Sequence, residues 1–156
     1  MKRWHFALFG ILLGTATAWL LYPSASSVVL RAMSGDRWFH VHSVDIEDAV
    51  VGDSPVVHVV REIRRPFTAS WIVTLRRRNG ADFAVFCARE GRNDYRPSAV
   101  LPAETDLNWW MNIPPNPNCP GLLPGTYLLS MSWSIEVSGL PPKVMRIESN
   151  EFEVRK

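Results

Sequence analysis

No lysine, arginine, aspartate or glutamate occurs between Trp4 and Leu30, in a chain of 156 residues that is 21% charged overall. A gap of that length excludes a solvated surface segment, and Lys2 and Arg3 stand just before it. A basic start followed by an apolar run directs a chain into or across a membrane. From Trp4 to Tyr22 only His5, Thr15 and Thr17 are polar, and a spanning helix needs roughly 20 mostly apolar residues. The expectation is one N-terminal transmembrane helix, a signal anchor within residues 1–30 whose residues 4–22 meet membrane lipid. Residues 31–156 then form a domain facing the periplasm or the cell exterior. The alternative is a cleaved signal peptide and a secreted domain, with Phe6 to Gly14 as the apolar core and Ala16-Thr17-Ala18 as the cleavage site. Trp19-Leu20-Leu21-Tyr22 continues the apolar run past that site, and its aromatic rings suit the membrane–water interface, which favours retention.

Cysteine is scarce, with Cys87 and Cys119 the only two. This excludes a disulfide-dense scaffold, a close-spaced redox pair and a zinc knuckle. In an exported chain two thiols meet an oxidising compartment, so a Cys87–Cys119 disulfide is expected. It would close a loop of about 33 residues and contribute about 3–4 kcal/mol. The nucleophile elbow, the phosphate-binding glycine loop and the His-Glu-x-x-His helix are missing as well. No enzymatic activity and no cofactor are expected. Internal repeats and low-complexity tracts are also absent.

Charge of one sign is missing too, once the leader is set aside. Lys2, Arg3 and Arg31 are three of the 17 basic residues, and all 15 acidic residues lie at or after Asp36. From Asp36 onward 14 basic residues face 15 acidic ones, a net of −1. A near-neutral domain is a poor binder of nucleic acid, despite a pI of 8.7 for the whole chain. The one basic cluster, Arg76-Arg77-Arg78, beside Asn79-Gly80, reads as a solvated strand end.

What is present is strand patterning. Phe67, Ala69, Trp71, Val73 and Leu75 alternate with Thr68, Ser70 and Thr74. Tyr127, Leu129, Met131, Trp133, Ile135 and Val137 alternate with Leu128, Ser130, Ser132, Ser134 and Glu136. A period of two over such lengths marks strands with one buried face. Residues 38–46, 56–63, 83–87, 107–113 and 144–154 are also expected as strands, the last broken near Ser149-Asn150. Asn79-Gly80 offers a tight hairpin. Residues 88–105 and 114–124 are expected as long loops, the second stiffened by proline. About seven strands over about 120 residues predict an all-β fold, an antiparallel β-sandwich.

Leu123-Pro124-Gly125-Thr126-Tyr127, with the alternation that follows to Trp133, resembles the late strand of immunoglobulin-like sandwiches. The resemblance implies a corner in which the tyrosine hydroxyl bonds back to the backbone. Cys87 and Cys119 depart from the antibody order, so their bridge would pin a loop to a strand instead of joining two sheets. The layout is also similar to small uncharacterised membrane-anchored proteins encoded by bacteria and phages. That likeness implies an architecture and no activity.

His40-x-His42 is the strongest metal candidate, with His58 or Asp45 as a third ligand, but half-exposed surface histidines are the expected reading and no metal is assigned. Trp71, Trp109 and Trp133 fall in apolar phase, whereas Trp110 is expected to be exposed beside Asn108 and Asn112. The candidate binding surface is therefore Arg92, Asn93, Asp94 and Tyr95 on the first long loop, with Trp110 nearby. The expected partner is a protein, and the alternative is carbohydrate or cell wall held by exposed aromatics. N-terminal sequencing of the native protein tests the leader. It should begin at Met1 or Lys2, with the chain retained in washed membranes, and a start at Trp19 would replace the anchor with a cleaved signal.

Overall fold

The computed structural model describes residues 34–102, 105–112 and 119–156. The expected membrane helix over residues 4–22 and residues 114–118 of the proline-rich loop lie outside these residues. Among the described residues no helix is long and apolar enough to cross a membrane.

The fold is all-β, with two sheets and seven strands among the described residues. In chain order these are β1 (Phe39–Ile46), β2 (Ala49–Val50), β3 (Val57–Ile63), β4 (Phe67–Asn79), β5 (Asp82–Tyr95), β6 (Gly125–Glu136) and β7 (Lys143–Arg155). β1 and β3 form an antiparallel two-stranded sheet. The other sheet has five strands in the order β2-β7-β6-β4-β5. Its pairs are antiparallel except the short β2, which runs parallel to the end of β7.

The alternation read in the sequence sets the two faces. Phe67, Ala69, Val73 and Leu75 on β4 and Tyr127, Leu129, Met131, Trp133 and Ile135 on β6 are buried. Outward, β4 presents Thr68, Ser70, Ile72 and Thr74 beside Ser130, Ser132 and Ser134 of β6. β1 closes the inner face. Phe39 is fully buried, with its ring 5.1 Å from Trp133, 5.5 Å from Phe67 and 5.8 Å from Tyr95. At its other end β1 is held to β7 by one side chain. Asn150 accepts from Ile46 N at 2.7 Å and donates to Ile46 O at 2.9 Å, as a strand neighbour would. The break expected near Ser149-Asn150 is a bulge within β7. Ser149 is buried there and its hydroxyl accepts from Leu129 N at 3.0 Å. Burying that hydroxyl without a partner would cost about 1–3 kcal/mol.

Two turns follow from local chemistry. The β4–β5 hairpin loop is Gly80-Ala81, with Gly80 at φ 67° while Ala81 keeps a negative φ. Glycine first is the pattern of a two-residue turn matched to strand twist. At the start of β6, Gly125 has φ 153°, and a Cβ there would lie 3.0 Å from Arg77 Nε. That glycine admits the corner. Tyr127 is fully buried, donates its hydroxyl to Leu123 O at 2.8 Å and accepts from Leu123 N at 3.1 Å. The arginine triplet is spread over two faces. Arg76 pairs with Glu148 and Arg78 with Glu151, while Arg77 lies 6.0 Å over the Tyr127 ring and donates to Pro124 O.

Cys87 and Cys119 are bonded, with Cα atoms 5.1 Å apart, and the bridge joins β5 to the segment leading into β6. The strand expected over residues 107–113 is corrected, because Leu107–Met111 is a short helix. Asp106 caps it by accepting from Trp109 N at 2.7 Å, and Asn112 ends it in the left-handed region at φ 56°. Leu107 and Met111, four residues apart, share its buried side. The Tyr127 corner is testable by Tyr127→Phe, which keeps the ring and removes both hydroxyl bonds. Denaturant unfolding should show a loss of about 1–2 kcal/mol, and an unchanged midpoint would mean that the hydroxyl holds nothing.

Candidate functional site

Strands of the wide sheet expose inner-face positions wherever the two-stranded sheet does not reach. β5 pairs with β4 so that Cys87, Arg89, Gly91, Asn93 and Tyr95 stand opposite Leu75, Val73, Trp71, Ala69 and Phe67. These β5 residues therefore face the same side as the core. Tyr95 is covered by Phe67, stacked at 4.7 Å. Arg89 of that row meets the Leu107–Met111 helix. Thr105 and the helix start are tied to β3 by Val57 N to Thr105 O and Leu107 N to Pro55 O, both 2.9 Å. Arg89 donates to Trp109 O at 3.0 Å and Trp110 O at 3.2 Å.

Between these parts lies a cleft of about 620 Å³. Its aromatic walls are Trp71, Trp109, Trp110 and Trp133, with Tyr95. Trp71 lies across Gly91, where a Cβ would stand 2.5 Å from the ring. With its amide oriented to match both ends, Asn93 accepts from Trp71 Nε1 at 3.2 Å and donates to Arg92 O at 2.7 Å. Trp133 donates to the Tyr95 hydroxyl at 3.2 Å. The Trp110 indole N–H is buried and has no acceptor among the described residues.

Two guanidinium groups line the same space. Arg89 sits 5.6 Å over the Trp71 ring, and Arg61, on β3, sits 5.9 Å over Tyr95. Arg61 makes no hydrogen bond or ion pair among the described residues, and its burial pulls the guanidinium below its ordinary pKa. Burial raises the Tyr95 hydroxyl, against the lowering influence of the bond from Trp133. Among the described residues the one carboxylate lining the cleft belongs to Asp94, and the Thr68 hydroxyl engages it at 2.6 Å. The arrangement suits an aromatic or apolar group carrying negative charge.

Several site residues sit differently from expectation. Arg92, Asn93, Asp94 and Tyr95 are not on a loop. They end β5, paired with Ser70, Ala69, Thr68 and Phe67, because a 13-residue neighbour in β4 supplies backbone partners that outweigh their turn preference. Alternation then splits them. Asn93 and Tyr95 face the cleft, Tyr95 at 8% exposure, whereas the Asp94 carboxylate turns to Thr68 and Arg92 to Glu136 at 2.6 Å, both on the outer face. The tryptophan phase is inverted. Trp109 is 50% exposed and Trp110 is half-buried, because a helix and not a strand carries them. Their rings meet at 83°. Arg61, Arg89, Trp71 and Trp109 were missed. Asp106 before Leu107 and Met111 was the available signal for the helix, and the phase of Cys87 was the signal for an inward Arg89.

The histidines do not converge. His40 and His42 have ring centroids 4.5 Å apart and His40 approaches Asp36 at 3.4 Å, while His58 pairs with Glu47 at 2.9 Å. Among the described residues no three His, Cys, Asp or Glu side chains gather as a metal site would require. Compared with known proteins, the chain matches no family model, no curated protein and no solved structure.

Gly91→Ala tests how the cleft floor is built. The added methyl must push Trp71 off β5, so Trp71 emission should shift and stability should fall by about 1–3 kcal/mol. An unchanged spectrum and melting curve would show that Trp71 does not rest there.

Proposed function

We propose that the chain is a non-enzymatic, membrane-tethered binding module of immunoglobulin-like architecture, displayed in the periplasm or outside the cell, and that it captures a protein partner along β5. The observation carrying this reading is the outer edge of β5. The strand runs 14 residues with β4 as its one neighbour among the described residues. An open edge offers a row of backbone donors and acceptors to an extended segment. The charged residues along it, Arg89, Glu90, Arg92 and Asp94, oppose indiscriminate pairing with other sheets.

The immunoglobulin-like part of the reading is supported by two features. One is the tyrosine corner at Tyr127. The other is the order β7-β6-β4-β5, which corresponds to the strand order on one side of variable-type domains. The departure is the second sheet, with only two strands among the described residues. The alternative ligand class, carbohydrate or cell wall, draws on the exposed Trp109 beside Asn112. The angle between Trp109 and Trp110 gives it no flat platform, so protein is preferred.

Photo-crosslinking in native membranes tests the reading. A benzoyl-phenylalanine at Ala88 or Glu90, both exposed on β5, should give one discrete protein adduct, and the same group at Ser132 should not. Trp109→Ala should weaken capture by about 1–2 kcal/mol with melting unchanged. Equal labelling from all three positions would place the contact elsewhere. Polysaccharide retention without any protein adduct would establish the alternative.

A further inference from the structure

The cleft is aromatic and also cationic, and that combination specifies an occupant. Arg61 carries a half-buried guanidinium with no carboxylate partner among the described residues. Arg89 reaches two backbone carbonyls through one nitrogen, and neutral carbonyls do not balance its charge. Asp94, the carboxylate on the rim, is turned to Thr68 on the opposite face of the sheet. A desolvated cation is stabilised when a carboxylate completes its hydrogen bonds. Facing the cations are indole rings at angles that accept a further ring by edge or offset contact.

We propose that the cleft receives an aromatic side chain flanked by carboxylates on a partner protein, with the ring among Trp71, Trp109 and Trp110 and one carboxylate on Arg61. This rests on the capture of a partner along β5. An extended segment laid on that edge projects every second side chain toward the inner face, where the cleft lies. An aromatic acid free in solution shares the chemistry and lacks the backbone contacts, which is why a protein segment is assigned.

The test uses the full chain in detergent and three end-capped five-residue peptides. Each has phenylalanine at its centre, a glycine on either side of it, and two aspartates, two asparagines or two lysines at the ends, where they share the face of the ring. Phenylalanine leaves the tryptophan emission of the protein as a clean readout, alongside titration calorimetry. The aspartate peptide should bind at least tenfold tighter than the asparagine peptide, with the advantage shrinking as salt rises. Arg61→Gln should abolish that advantage and Arg61→Lys should restore part of it. Trp109→Ala, at an exposed ring, should weaken every peptide while leaving the denaturant midpoint in place. If Arg61→Gln does not fold, the Trp109→Ala result and the peptide ranking decide the matter.

Equal binding of the aspartate and asparagine peptides, or preference for the lysine peptide, overturns the proposal. N-acetylphenylalanine binding as tightly as the aspartate peptide overturns the assignment to a protein segment. The two readings fail separately. A β5 crosslink with no peptide preference removes the acidic–aromatic ligand and keeps the edge. Peptide preference with no β5 crosslink keeps the cleft chemistry and removes capture along β5.

Discussion

A five-stranded sheet with an apolar inner face must be covered across its width, and here two strands do most of the covering. β1 and β3 supply Phe39, Val44, Ile46, Val57 and Ile63 to the core. That is enough for β6, β4 and the near part of β7, where Tyr127, Leu129, Met131, Trp133 and Ile135 are sealed from water. Burial of such side chains is worth about 1.5–3 kcal/mol each, so this pairing of sheets provides most of the drive to fold. Beyond β4 the cover changes character. A five-residue helix, Leu107–Met111, replaces further strands, held by a cap at Asp106, by Arg89 and by backbone bonds to the start of β3. The cleft is the gap that this short cover leaves.

How much of this could be read from the sequence follows from the same division. Where one face of a strand is buried the period of two is strict, and β4 and β6 were legible residue by residue. The corner at Tyr127 was legible because Gly125 and Tyr127 each do one local thing, a special backbone angle and a hydroxyl returned to Leu123. The cysteine pair was legible because only one pairing exists. Edge strand β5 was cut short at Cys87 in the reading. Its last residues, Gly91-Arg92-Asn93-Asp94, have the chemistry of a turn, and the pairing that holds them extended belongs to β4. The tryptophans were misphased for a related reason. Five residues hold too little periodicity to separate a helix from a strand, and only the cap at Asp106 distinguishes them.

The fixed parts around the cleft differ from the parts a ligand would touch. Gly91 lets Trp71 lie flat on β5, and Asn93 and Tyr95 hold the Trp71 and Trp133 indoles by hydrogen bonds. The disulfide at Cys87 ties the segment after the helix to the same strand. Rings held this way lose little freedom on binding, which is the usual advantage of a preorganised site. Trp109 is the exception, half in solvent at the free side of the helix, and so is the ring most able to adjust to a ligand.

Elsewhere in the described domain the local rules agree with one another. Most buried positions are apolar, Ser149 and Thr105 are buried with their hydroxyls bonded, and part of the surface charge is paired, as in Arg76–Glu148, Arg92–Glu136 and Arg155–Asp48. The departures gather at one place. Among the described residues Arg61 is half-buried without a counter-charge, the Trp110 N–H is buried without an acceptor, and the Arg89 guanidinium meets only backbone carbonyls. Each lowers the stability that the same backbone could have with an apolar residue in its place. Stability arguments alone do not account for three such groups around one aromatic space, and the proposed acidic–aromatic segment would supply the counter-charge that Arg61 lacks among the described residues. Costs concentrated in this way, in a frame otherwise consistent, are the observation from which the proposed binding site is argued.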